Sequence, residues 1–91
     1  MMDLINVGFN NLIPVAKISM VAETGSSAIK RIIKRAKEEE KLINATCGRA
    51  AKSIVLLENG FVVISALAAL TIGNRIANST LFGNTELKGS G

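Results

Sequence analysis

The sequence predicts a small single α+β domain, in the order β-β-α-β-β-α around an antiparallel sheet, on three observations. Apolar residues roughly alternate through Leu4, Ile5, Val7 and Phe9. Ile29, Ile32, Ile33, Ala36 and Ile43 recur at helical spacing, and Asn59-Gly60 separates two aliphatic runs in the manner of a hairpin turn.

A first strand is expected within 3–9, where Gly8 permits a bulge or a close approach, and Asn10-Asn11 favours a turn. The short connection suits a hairpin, so a second strand is placed at 15–21, antiparallel to the first, with Pro14 confining it to an edge or a beginning. Glu23 to Ser27 reads as a loop ending in an N-cap candidate, and a helix is expected over 28–42.

Strands follow at 53–57 and 61–65, paired through the Asn-Gly turn, whose two central residues can both take positive φ. Both are almost wholly aliphatic, which implies cover on each face, under helices or against a neighbouring subunit. A second helix is expected over 66–77, weakened by Gly73. The domain is thus expected to span 1–78, with 79–91 a flexible tail that closes in the linker-type Lys88-Gly89-Ser90-Gly91.

Ninety-one residues build one domain whose core is marginal unless subunits bury surface against one another, so a homo-oligomer is expected. Aromatics are only 3% of the chain, Phe9, Phe61 and Phe82, and the core is aliphatic. The formal charge of +4 favours a polyanionic partner. Histidine is absent, which removes the commonest general base, the commonest metal ligand and the Ser-His and Cys-His nucleophiles.

With the lone Cys47 there is no zinc framework and no internal disulfide, as suits a reducing cytoplasm. No phosphate-binding loop, dinucleotide fingerprint or nucleophile elbow is present. No enzyme, metal or cofactor is expected. The opening Met1-Met2-Asp3 lacks the basic-then-apolar order of a secretory signal, and the longest apolar tract, 61–72, is too short to span a membrane. A cytoplasmic protein is the expectation.

The chemistry concentrates at 43–57, where a polar turn with Gly48, Arg49 and Lys52 runs into an apolar strand. A glycine beside an arginine lets the backbone bend sharply and projects a long cation from a rigid base, a good place to hold an anion. The alternative is a surface turn with a merely solvated arginine. In the first helix, Lys30, Arg31, Lys34, Arg35 and Lys37 crowd the front and Glu38, Glu39 and Glu40 the end, against the macrodipole. Lys30 and Arg31 would reinforce the anion affinity of the helix N-terminus; the alternative is a charged solvent face.

Ile5-Asn6-Val7-Gly8-Phe9, Ile29-Lys30-Arg31, Ala45-Thr46-Cys47-Gly48-Arg49 and Val63-Ile64-Ser65-Ala66, in that order and without an obvious gap, resemble the RemA-type family of small bacterial regulators of extracellular matrix genes. The resemblance implies a DNA-binding transcriptional regulator, not an enzyme, assembled as a homo-oligomeric ring that presents repeated basic surfaces to double-stranded DNA. It places DNA contacts at Arg49, with Lys52 where a further arginine is common and Lys17 likewise; Lys30 and Arg31 are expected to assist. Ala50 stands where the family has its second arginine, and Cys47 where an aromatic is usual, so binding is expected to be weaker or redirected. The rival reading is a structural or interaction module binding an acidic protein. RNA binding is a third, though the stacking aromatics of single-strand readers are missing.

Overall fold

Leu4–Asn6 (β1) and Leu12–Pro14 (β2) pair antiparallel as the first hairpin in the computed structural model, which describes residues 3–82. The second strand is therefore shorter and earlier than the 15–21 expected. Pro14, with φ locked at −64°, leads into a 3-10 turn at Val15–Lys17 that swings the chain away. Ile18–Glu23 (β3) then joins a different sheet, as an edge strand antiparallel to Ser53–Leu57 (β5).

Ser27–Glu38 (α1) starts one residue before the expected 28, because Ser26 rather than Ser27 is the cap, its hydroxyl accepting the Ile29 N–H at 3.2 Å. It stops four residues before the expected Leu42. Glu40 turns to φ 59°, and the Lys41 N–H reaches back to the Ala36 carbonyl at 2.8 Å, a Schellman-type end made without glycine. The residues so released, Leu42–Ala45, form a strand (β4) that periodicity did not predict. It lies parallel to Val62–Ser65 (β6), so the sheet, of order β3-β5-β6-β4, is mixed rather than purely antiparallel.

The β5–β6 hairpin lies where expected, yet only Gly60 in its turn takes positive φ, at 89°. The Gly60 N–H bonds the Leu57 carbonyl at 3.0 Å and the Leu57 N–H the Phe61 carbonyl at 2.9 Å, so the loop is a three-residue type with glycine in the left-handed place. The second helix (α2) runs Ala69–Phe82, starting later and ending later than 66–77. The remainder of the expected tail, 83–91, lies outside the described residues.

Both faces of the sheet are covered, as its aliphatic strands implied. Ile54 and Val62 face Ile29, Ile32, Ile33 and Ala36 of α1. Val55, Val63 and Ala45 face Ile5, Val7 and Ile13 of the first hairpin and Ile72 of α2. Full burial of each Ile or Val side chain among these contributes about 1.5–3 kcal/mol. The polar exceptions are used: the buried Ser53 hydroxyl donates to the Leu67 carbonyl at 2.7 Å, and buried Ser65 donates to the Val7 carbonyl at 2.6 Å.

Candidate nucleic-acid interface

The strand directions decide which loops share an end. β3 finishes opposite the start of β5, and β6 and β4 finish beside them: Glu23 pairs with Ser53, Ser53 with Ser65, and Ser65 with Ala45. The 46–52 loop, the start of α1 and the approach to α2 therefore gather at one end of the sheet.

Thr46 to Arg49 is a tight turn. Cys47 (φ 53°) and Gly48 (φ 82°) both lie in the left-handed region, and the Arg49 N–H closes on the Thr46 carbonyl at 3.1 Å. The Asn44 side-chain oxygen anchors it by accepting from the Thr46 N–H (2.9 Å) and hydroxyl (2.6 Å). Arg49 thus leaves a buried, hydrogen-bonded base with its side chain exposed.

A second turn of the same hand lies beside it. Between β1 and β2, Phe9 (φ 51°) and Asn10 (φ 65°) are both left-handed, and the Asn11 N–H closes on the Gly8 carbonyl at 3.0 Å. Gly8 is required by its backbone rather than by space, since the contacts a Cβ would make there are ordinary ones. At φ 123°, a Cβ there would stand 3.4 Å from the Ala45 carbonyl oxygen and 3.8 Å from Ser65 Oγ. Phe9 is left 49% exposed, an uncommon fate for one of three aromatics in the chain, and the Arg49 guanidinium lies over its ring at 5.6 Å from the centroid.

Lys52 belongs to the same end. Its N–H donates to the Ser65 carbonyl at 2.8 Å, and its carbonyl accepts from the Thr24 N–H at 3.3 Å, in the loop that leads into α1. Its side chain is exposed, as is that of Lys30 in the first turn of α1. Arg31 is exposed too, but it lines a cleft along the flank of α1. Lys17 lies at the opposite end, where its carbonyl accepts the Glu58 N–H at 2.8 Å. The length of β3, roughly 17 Å, separates it from the Arg49 end.

Sequence patterns do not point to two neighbours of the site. Phe9 continues the alternation of a strand, and only the following Asn10-Asn11 hints that it sits at a bend. Arg75 of α2 donates from Nη1 to the Asn6 carbonyl at 2.6 Å, so an arginine borders each side of the 7–11 loop. No spacing rule relates positions that far apart. Among the described residues no group of three or more His, Cys, Asp or Glu could hold a metal, and no helix is long and apolar enough to cross a membrane.

Comparison with known proteins agrees with this arrangement of motifs. The family model described as extracellular matrix regulatory protein A-like matches residues 4–76. A protein of Lachnoclostridium phytofermentans named "Putative regulatory protein" is 41% identical over 76 residues, 84% of each chain. Similarly named proteins of Geobacillus kaustophilus (35% over 82 residues, 90% of this chain and 94% of that one) and of a Cyanothece species (39% over 72 residues, 79% of each) are also similar. The chain belongs to the RemA-like family of regulatory proteins.

Proposed function

We propose that this regulator is a DNA-binding transcription factor that works as a homo-oligomer, gripping duplex phosphates through Arg49 and Lys52. The single observation that carries the reading is the Arg49 turn, a solvent-facing cation on a base tied down by Asn44 and set against Phe9. A cation held in this way loses less conformational freedom on meeting a phosphate than one on a free loop.

One subunit offers few phosphate contacts and would bind weakly at cellular salt, whereas several subunits on one duplex add their contacts through effective concentration. Features that suit self-association are the exposed aliphatic side chains Leu4, Leu12, Ile43 and Leu70, together with two open sheet edges, β3 and β4. A closed ring is one assembly that would repeat the Arg49 corner. Lys30 and Arg31 extend the basic surface along α1, and Lys17 contributes where DNA or a neighbouring subunit brings it into line. With contacts made mainly to phosphates, selectivity falls to the shape and bending of the duplex.

Fluorescence anisotropy with random duplex DNA at two salt concentrations tests the reading. A steep salt slope is expected, and Arg49→Ala should lower it by about one unit for each subunit whose arginine holds a phosphate. Absence of binding at low salt would instead favour an acidic protein as the partner.

A further inference from the structure

We propose that the cleft between α1 and the β5–β6 hairpin binds a small amphipathic monoanion of the aliphatic carboxylate type, one per subunit. The cleft holds about 420 Å³, within the usual range for small-molecule sites. Its floor is apolar, built from Ile32 and Ala36 of α1 with Leu56 and Val62 of the sheet. Its lip is cationic. Arg31 and Arg35, one helical turn apart, both line it from the same flank of α1.

The reversed charge order of α1 bears directly on this lip. Arg35 and Glu39 are spaced for an ion pair but run in the less favourable order, and neither Arg31 nor Arg35 has an ion-pair partner among the described residues. Both guanidinium groups face solvent and are open to an external anion. A third cation lies at the hairpin end, where the Lys41 ammonium would stand 3.5 Å from a Cβ at Gly60, another lining residue. Glu39 is the single acid on the lining, so the cleft carries a net positive rim over an aliphatic floor.

That pairing selects a ligand with both parts. A bare anion leaves the floor in water, and a neutral alkane leaves two arginines without a partner; an alkyl carboxylate satisfies both at once. The site lies on the α1 face of the sheet, opposite the first hairpin, and of its lining residues Arg31 alone also belongs to the proposed DNA surface.

Decanoate, below its aggregation concentration, is the probe, followed by amide NMR shifts on the full chain. Saturable shifts confined to 28–39 and 56–62 are expected, at one site per subunit. Arg31→Ala with Arg35→Ala should weaken binding about tenfold or more, and 1-decanol should bind at least about tenfold more weakly than decanoate. Ala28→Trp, a change at an exposed lining residue, should block the cleft without disturbing the core. Equal affinity for decanol and decanoate, or unchanged affinity in the double variant, would overturn the proposal. So would shifts at these residues that follow protein concentration and ignore decanoate, since a second copy would then occupy the cleft.

Discussion

Two turns of the same hand meet at one end of this molecule, and they are built differently. Thr46 to Arg49 puts Cys47 and Gly48 in the left-handed region, with a glycine where the backbone asks for one. Gly8 to Asn11 puts Phe9 and Asn10 there, and an aromatic at φ 51° costs about 1–2 kcal/mol relative to an ordinary conformation.

The surroundings differ to match. The Arg49 turn has one side-chain anchor, Asn44, whereas the Phe9 turn is held at several points. Asn6 Oδ1 accepts from the Gly8 N–H at 2.8 Å, Asn11 Nδ2 donates to the Gly8 carbonyl at 2.8 Å, and Ser65 Oγ donates to the Val7 carbonyl. Strain persists where neighbours over-determine it. The comparison teaches a division of labour: the first hairpin is the platform held at several points, and the arginine turn, anchored by Asn44, is the proposed DNA contact laid over it.

The strongest blow to that division is Arg49→Ala. We expect a loss of DNA affinity of about 10- to 100-fold, because each subunit on the duplex forfeits a phosphate, with the assembly unchanged in native mass. Unaltered anisotropy titrations for this variant would remove Arg49 from the proposed role.

Ser65→Ala acts on the platform and on the connection into α2. It removes a buried hydroxyl that donates to Val7 and also accepts the Leu67 N–H at 3.0 Å, so two backbone groups are left without their partner. A loss of about 1–3 kcal/mol is expected in urea unfolding. Gly48→Ala acts on the other turn. A Cβ there meets nothing within 4 Å, so the cost is backbone strain only, about 1–2 kcal/mol, and a larger loss would mean that the turn is packed more tightly than the first hairpin.

The link between the turns is smaller. A double-mutant cycle of Phe9→Leu and Arg49→Ala, read by DNA affinity, should give a coupling of about 0.5–1 kcal/mol for the ring and guanidinium, and additive effects would show that the platform does not steer the arginine. The smallest effect should come from Lys17→Ala, at the far end of β3, with affinity changed less than about twofold. An effect equal to that of Arg49→Ala would mean that the duplex spans both ends of the sheet.

Much of this was legible in the residues. The serines before Ala28 announce α1 to within a residue, and Asn59-Gly60 turns β5 into β6, both by chemistry within a few residues of the event; Pro14, expected to open a strand, instead closes one. The exposed corner at Gly48-Arg49 was equally plain, since a glycine before a long cation is a local pattern. β4 was not legible. The triple glutamate that precedes it favours helix, and only the parallel place open beside β6 makes Leu42 to Ala45 a strand.

By itself, then, the chain determined its α+β class, its aliphatic core and the β5–β6 turn, because these rest on periodicity and on what each backbone tolerates. Tertiary structure alone decided that β2 and β3 belong to different sheets, that Phe9 faces solvent beneath Arg49, and that Lys17 stands a strand's length from Lys52. Those outcomes depend on which distant surfaces bury one another, and no local preference encodes the partner.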